Sequence, residues 1–346
     1  MGRRERKALT DHRAPDAEGT PDGGAAGGDH AHLTDSTVSA GHLVEVADGV
    51  HAWIQPDGTW WLNNAGAVTG GDGTLIVDTC ATEARTRRFL DAVDVATDGA
   101  PVRFAVNTHE HGDHTYGNSL LPAEAALIGH EVMREHLLVD PILDGCPPVW
   151  APVPDWGGVT RRVPTIVTTT DLTVHSGSRR IDIVHPGYAA HTEGDLVAWL
   201  PEEQVLFTGD LLFVGLTPLV FAGSVDGALA SLEWIADFGP DVVVPGHGPV
   251  ATGTDLPGIL AEHERYYRFV LEVAADGRNA GLDPLEAARA ADLDAFAGWS
   301  DAERLVLNLH RVYADAEGRP MDLMAAVVDA VTWIGGPMTT HVCCLG

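Results

Sequence analysis

The feature that most constrains this sequence is a run of four candidate metal ligands directly after an apolar stretch with the pattern of a buried strand. The eight-residue segment NTHEHGDH ends at His114. Residues two positions apart in an extended chain point the same way, so His109 and His111 can present their imidazoles to one ion. Asp113 and His114 follow the bend that Gly112 permits, at a predicted helix start, and can turn towards a second ion. The run therefore predicts two adjacent metal sites.

Three further candidate ligands follow downstream, each near the carboxyl end of a predicted strand. They are His191, Asp210 and His247. Open α/β sheets place their sites at such strand ends, so we expect these side chains beside the first run. Imidazole and carboxylate without thiolate suit zinc, and also iron or manganese. Unrelated core or surface histidines are the alternative, which the cost of burying so many polar groups without an ion disfavours. The set predicts two divalent metal ions, with Zn²⁺ as the first expectation.

The order of these motifs resembles the metallo-β-lactamase superfamily over about residues 42–250. The resemblance implies an α/β fold, the αββα metallo-β-lactamase sandwich, here with a C-terminal helical extension. It also implies that Asp78 orients a ligand histidine and that Asp210 bridges the two ions. In the implied division of the other ligands, one ion takes His109, His111 and His191, and the second ion takes Asp113, His114 and His247.

Two positions separate this sequence from the commonest β-lactam-hydrolysing members. The resemblance implies an Arg at the position of His114 and a Cys at the position of Asp210 in those members. The chain is more similar to the glyoxalase II, lactonase and thioesterase branches. Flavodiiron-type oxygen reducers carry Glu where this sequence has His111. Sequence segments such as residues 205–213 are similar to those of an actinobacterial subgroup. Some members of that subgroup are thioesterase or cyclase components of polyketide pathways.

These features predict a dinuclear metallo-hydrolase acting on a carboxylic thioester, ester or lactone, including polyketide thioesterase or cyclase chemistry. Two divalent ions lower the pKa of a bridging water towards neutrality, so no Ser or Cys nucleophile is required. We expect Asp210 to fix the separation of the ions and Asp113 to shuttle a proton to the leaving group. The alternatives are an oxidoreductase resembling the persulfide dioxygenases, with one iron, a small phosphodiester hydrolase, and a non-catalytic metal protein. Two adjacent open sites argue against the last alternative.

Four other residues are candidates for contact with the substrate or support of the ligands. His185 precedes His191 by six positions, and Tyr188 could donate to an oxyanion. Ordinary packing is the favoured alternative for both. By the resemblance, Trp60 and Trp61 lie on a hairpin that overhangs the site. Alternation along a strand would turn only one of these two tryptophans towards the substrate.

Charge and composition exclude several function classes. The formal net charge is −29 over 346 residues, and Lys7 is the only lysine. Such a chain repels phosphate backbones, so we expect a small-molecule acyl substrate and no nucleic-acid partner. No apolar run is long enough to span a membrane, and no apolar segment follows the basic start, which predicts a cytoplasmic protein without a membrane partner. The sequence leaves the oligomeric state open.

The pattern along the chain predicts three segments. Residues 1–40 lack periodicity and are expected to form a disordered leader. Residues 41–252 form the metallo-β-lactamase domain, and residues 253–346 form a helical segment packed on it. Within the domain, residues 141–158 carry five prolines and two tryptophans. This stretch is long for a connection, so it is either a lid over the site or a surface loop anchored by its tryptophans. A single strand is predicted over residues 166–174.

Overall fold

Two β-sheets stacked face to face form the centre of the fold in the computed structural model, which describes residues 40–342. The strands are short and punctuated by turns. In chain order they are β1 (His42–Ala47), β2 (Val50–Ile54), β3 (Ala65–Gly70), β4 (Gly73–Val77), β5 (Val102–Val106), β6 (Ala126–His130), β7 (Trp150–Ala151), β8 (Ile166–Thr168), β9 (Leu172–Ser176), β10 (Arg179–Val184), β11 (Val197–Leu200), β12 (Val205–Phe213), β13 (Val242–His247), β14 (Ala251–Thr252) and β15 (Met338–Thr339).

The first sheet has the strand order β1-β2-β3-β4-β5-β6-β8, and the second has the order β14-β13-β12-β11-β10-β9. The first sheet is antiparallel from β1 to β4 and parallel from β4 to β8. In the second sheet only β12 and β13 run parallel. Parallel neighbours need a crossover, which helices supply in both sheets. The carboxyl ends of the parallel strands therefore lie together in each sheet.

Eight α-helices flank the sheets within the described residues. They are α1 (Glu83–Ala96), α2 (Gly112–Thr115), α3 (Glu131–Val139), α4 (Val225–Asp237), α5 (Leu256–Ala280), α6 (Pro284–Ala290), α7 (Arg304–Glu317) and α8 (Leu323–Ile334). The Thr82 side chain caps α1 by accepting a hydrogen bond from the Arg85 amide, which satisfies one of the free N–H groups of the first turn. Gly281, with φ of 72°, ends α5 in the left-handed conformation that glycine tolerates best.

Alternation along the strands divides the core into layers. Leu75 and Val77 of β4 point into the cluster between the sheets, where Phe207 of β12 meets them. Ile76 points the other way and packs with Phe89 of α1. On the far side of the second sheet, a third cluster contains buried residues of α4, α5 and α7. This arrangement confirms the predicted αββα sandwich with helices following it.

The structure corrects one predicted strand. The strand expected over residues 166–174 is two strands, because the chain bends at the polar residues 169–171 and passes from the first sheet to the second. The predicted leader falls outside the described residues, apart from residue 40. The limits at residues 252 and 253 stay predictions. None of the helices between residues 40 and 342 is both long and apolar enough to cross a membrane.

The segment 141–158 is anchored by its tryptophans. Trp150 and Trp156 are buried, and their ring centroids lie 5.1 and 4.7 Å from that of Trp61. Strand β7 of this segment pairs with β15 near the C-terminus, so the end of the described chain also holds it in place. Between the two sequence-based interpretations, these contacts favour the anchored loop.

Substituting Phe89→Ala tests the outer layer of the first sheet. Phe89 is fully buried against Trp53, so we expect the free energy of unfolding to fall by about 3–5 kcal/mol. Val95→Ala on the same helix is the control, because Val95 is 79% exposed and should change stability by less than about 0.5 kcal/mol. Urea unfolding followed by circular dichroism measures both, and equal losses would contradict this account of the layer.

Candidate metal centre

All seven candidate ligands lie at the edge where the strands of both sheets end. His109 and His111 follow β5, and α2 carries Asp113 and His114. The other three come from the second sheet: His191 lies between β10 and β11, Asp210 lies in β12, and His247 ends β13. Strand β12 continues past Asp210 to Phe213, so Asp210 lies within the strand.

Close packing explains the glycines around the ligands. A Cβ at Gly112 would lie 2.2 Å from the Tyr116 ring, and a Cβ at Gly246 would lie 1.9 Å from Asp210 Oδ1. The close approach of the Tyr116 ring, and not a left-handed backbone, therefore requires glycine at position 112. Asn107 Nδ2 donates to the His114 carbonyl at 2.9 Å and fixes the return of the chain after β5.

The structure brings the seven side chains together as two adjacent groups that could each hold a metal ion. Within each group the ligand atoms lie within 4.8 Å of one another. The first group is His109, His111, His191 and Asp210, and the second is Asp113, His114 and His247. All are buried except His111, which is half-buried. The predicted set thus converges as expected, and its role in binding metal stays a prediction.

The inner atoms of the first group crowd one another. His109 Nε2 lies 3.0 Å from His111 Nδ1, and His191 Nε2 lies 2.9 Å from the same atom. A neutral imidazole has one N–H and one lone pair. Because the outer nitrogens of His109 and His191 are already engaged with other groups, their inner nitrogens face His111 Nδ1 as lone pairs, an arrangement that a shared cation would satisfy.

Outer hydrogen bonds fix the tautomers of the remaining imidazoles. His191 Nδ1 donates to the Leu219 carbonyl at 2.6 Å, and His247 Nδ1 donates to the Gly58 carbonyl at 2.8 Å. His114 Nδ1 donates to Asp78 Oδ2 at 2.8 Å. In each case Nε2 faces the centre and carries the lone pair when the imidazole is neutral, which is the orientation that metal-binding histidines show in proteins.

Asp78 supports both groups. Besides accepting from His114, its carboxylate accepts from the Thr108 amide and hydroxyl, both at 2.7 Å. The Thr108 hydroxyl oxygen lies 3.1 Å from His109 Nδ1 and can accept a hydrogen bond from that nitrogen. Asp78 holds this position with a φ of 59°, a conformation that few non-glycine residues adopt. The geometry agrees with the supporting role that the resemblance implied for Asp78.

Buried polar atoms in the centre lack partners of their own. His114 Nε2 and Asp210 Oδ1 are buried without a hydrogen bond, although they approach each other to 3.1 Å. An unsatisfied buried group costs about 1–3 kcal/mol. Nitrogen and oxygen donors in this arrangement, without a thiolate, fit divalent zinc, and also iron or manganese.

The electrostatics of the centre favour positive charge. Burial lowers the pKa of His191 to about 3, although Asp210 acts in the opposite direction. Burial likewise holds the pKa of His109 well below its usual range. In the second group burial also opposes the charged imidazole, but Asp210 and Asp113 raise the pKa of His247 to about 9. The three imidazoles of the first group are therefore uncharged at pH 7, and the ionised carboxylates of Asp113 and Asp210 attract a cation.

His185 and Tyr188 lie outside both groups. His185 Nδ1 donates to the Asp195 carbonyl at 2.8 Å, and its ring packs on His130. Tyr188 is half-buried against the large helical cluster, and burial raises the pKa of its hydroxyl. These contacts favour the packing alternative for His185. Asp195 accepts hydrogen bonds from Thr192 and closes the turn after His191.

The expectation that one of Trp60 and Trp61 faces a substrate stays a prediction, but the strand alternation on which it rested does not hold. Both are 8% exposed and lie in a turn between β2 and β3. Trp61 has a φ of 69°, so the chain is not extended there and alternation does not apply. Trp60 Nε1 donates to Glu303 Oε1 at 2.7 Å, and Trp61 packs on Trp156. Both tryptophans therefore belong to the core.

Several supporting groups carry no signal in the sequence. The Gly58 and Leu219 carbonyls act through the backbone, which any residue type provides. Phe213 stacks on His247 with ring centroids 5.1 Å apart, and Phe221 stacks on His111 at 4.8 Å. Only Thr108 could have been found, because it precedes His109 at the end of a strand beside the one that carries Asp78.

Substituting Asp78→Asn tests the support of the two groups. The amide keeps the shape of the carboxylate but loses its charge and one acceptor, so we expect zinc affinity to fall about 10- to 100-fold. Competition with a chromogenic chelator measures the affinity. Asp91→Asn removes the same charge from an exposed site on α1 and is the control. Equal affinity in the two variants would contradict the role of Asp78.

Comparison of the sequence with known proteins identifies a family and several relatives. The family model described as Metallo-beta-lactamase superfamily matches residues 58–247. The alpha subunit of 2,4-dinitroanisole O-demethylase from Nocardioides sp. is 25% identical over 189 residues, which cover 52% of this chain and 51% of the relative. Hydroxyacylglutathione hydrolase from Methylococcus capsulatus is 29% identical over 153 residues, which cover 42% and 46%. The chain thus spans about half the length of the curated relatives it matches.

Solved structures show the same fold. A metallo-beta-lactamase from Pontibacter korlensis has a TM-score of 0.53 at 17% identity, covering 66% of this chain and 99% of that chain. The DIM-1 metallo-beta-lactamase has a TM-score of 0.51 at 16% identity, covering 67% and 98%. These structural likenesses and the family match, which covers more than half of the sequence, lead to one conclusion: the chain belongs to the metallo-beta-lactamase superfamily.

Proposed function

We propose that this protein is a metal-dependent hydrolase that holds two divalent ions and cleaves a carboxylic thioester, ester or lactone. The observation that carries the proposal is the convergence of seven donors, six of them buried, with the outer nitrogens of His114, His191 and His247 fixed by other groups. A purely structural ion would need one closed set of four ligands. Two adjacent groups suit a reactive centre better.

The ligand assignment follows from the inner distances. Asp210 Oδ2 lies 3.4 Å from His191 Nε2 and 3.4 Å from His247 Nε2. It therefore reaches both groups and would lie between the ions. The first ion would take His109, His111 and His191, and the second would take Asp113, His114 and His247. Zinc is the first expectation because every donor is an imidazole nitrogen or a carboxylate oxygen.

A pair of bound divalent ions would supply a hydroxide nucleophile near neutral pH and polarise the substrate carbonyl. The residues of the chain would set the geometry. Asp210 would keep the ions at a fixed separation. Asp113 Oδ2 lies 3.2 Å from His247 Nε2, and we assign to this carboxylate the transfer of a proton to the leaving thiol or alcohol.

The substrate would approach past His111. It is the one candidate ligand that is not fully buried, and the half-buried Phe221 lies stacked on its ring. This side of the centre presents the aromatic ring of Phe221. We therefore expect an uncharged acyl or aromatic group to bind there, which agrees with a polyketide-like substrate among the candidates.

The relatives support hydrolysis of acyl compounds while widening the range of leaving groups. One relative is a hydrolase named for hydroxyacylglutathione, and another is a subunit of an enzyme that demethylates 2,4-dinitroanisole. An activated aryl methyl ether therefore belongs beside thioesters and lactones in a substrate panel. Small phosphodiesters are a weaker candidate, because the chain carries a net charge of −29.

Metal content paired with turnover tests the proposal. We expect about two zinc ions per chain, because each ion would have three ligands of its own and would share Asp210. Removing the metal with a chelator should abolish hydrolysis of an acyl thioester or lactone, and adding zinc should restore it. The panel would include a chromogenic β-lactam and an activated aryl methyl ether. One iron per chain with oxygen consumption on a persulfide would contradict the hydrolase and support the dioxygenase alternative.

A further inference from the structure

A chain of hydrogen bonds links the candidate ligand His191 to a buried asparagine on α7. His191 Nδ1 donates to the Leu219 carbonyl at 2.6 Å. The N–H of the same peptide group, that of Val220, donates to Asn308 Oδ1 at 2.7 Å. Because a peptide group is planar and trans, its C=O and N–H point in opposite directions and rotate together. The partner of the Val220 N–H therefore also sets the direction of the carbonyl that holds His191.

Asn308 is held so that its amide has one orientation. It is fully buried, and its Nδ2 donates to the Pro218 carbonyl at 2.9 Å and to the Tyr266 hydroxyl at 3.0 Å. A flipped amide would place a donor against the Val220 N–H and an acceptor against the Pro218 carbonyl. The side chain thus holds the backbone on both sides of Leu219.

The same short segment contacts a second candidate ligand. Phe221 stacks on His111 with an interplanar angle of 16°. At the other end of the segment, Arg304 donates from Nη1 to the Thr217 carbonyl at 2.9 Å. Residues 217–221 therefore lie between α7 and the first ligand group, and polar side chains of α7 fix them from behind.

We propose that Asn308 is a positioning residue for His191 and, through it, for the first of the two ions. The inference rests on the proposed metal centre. Asn308 lies outside residues 58–247, the part of the chain that the family model matches. With the Leu219 carbonyl fixed, His191 keeps its proton on Nδ1 and its lone pair on Nε2, towards His111. Without Asn308, the peptide group can rotate, and the His191 imidazole is no longer held with Nε2 towards His111.

Zinc binding by the full-length Asn308→Ala variant tests this role. We expect the ion held by His109, His111 and His191 to bind about 10- to 100-fold more weakly, as for other groups that orient a ligand histidine. The second ion should keep its affinity. Competition titration gives the two affinities, and the ring N–H resonances of His191 and His247 show which group has filled. In the metal-free protein, the His191 Nδ1–H resonance should move upfield as its hydrogen bond weakens.

A matched control separates positioning from general loss of packing. Leu309 is the next residue on α7 and is equally buried, but its side chain cannot hydrogen-bond to the 217–221 segment. Leu309→Ala should lower the melting temperature and leave both zinc affinities unchanged. If Asn308→Ala does not fold, Asn308→Asp is the second variant, since it keeps the acceptor for the Val220 N–H and loses the donor to Pro218. We expect from it a smaller weakening of the same ion.

Three outcomes would overturn the inference: equal weakening of both ions, a loss matched by Leu309→Ala, or unchanged affinity with an unmoved His191 resonance. Zinc uptake by the wild-type protein tests the metal centre separately from the role of Asn308. Zinc uptake by the wild type with an unaffected variant would remove only the role of Asn308. Failure of the wild type to take up zinc would overturn the proposed function together with this inference.

Discussion

Nitrogen and oxygen lone pairs crowd into one buried volume at the strand ends of both sheets, and the rest of the structure is arranged to keep them there. His109 Nε2, His111 Nδ1 and His191 Nε2 lie about as close as hydrogen-bonded atoms, without enough protons between them to satisfy all three. A protein interior tolerates such an arrangement when a cation completes it. The ionised Asp210 in the same volume adds negative charge, which a cation would also balance.

The support for this arrangement comes from parts of the chain that are far apart in sequence. Asp78 at the end of β4 reaches a histidine of each group, one directly and one through Thr108. The turn after β2 contributes the Gly58 carbonyl. The loop after β12 contributes the Leu219 carbonyl, and α7 holds that loop through Asn308. The helices after residue 253 thus contribute to the geometry of the centre as well as to the core.

Ligand residues could be predicted from the sequence because metal chemistry restricts them to a few side-chain types at fixed spacings. His109, His111, Asp113 and His114 follow directly on a strand, and the resemblance to a family supplied the αββα fold. Groups that act through the backbone could not be predicted. The same limit explains the tryptophans: the positive φ of Trp61 depends on tertiary packing, which strand alternation does not encode. The prediction of a single strand over residues 166–174 was wrong for a similar reason, because the local sequence does not determine which sheet each half joins.

We propose that two metal ions share one centre made only of nitrogen and oxygen donors. X-ray absorption at the zinc edge, on protein loaded with zinc, measures this most directly. We expect nitrogen and oxygen neighbours at about 2.0–2.2 Å from zinc and no sulfur, together with metal–metal scattering at about 3.5–4 Å. A sulfur shell, or zinc without a metal neighbour at full loading, would contradict it.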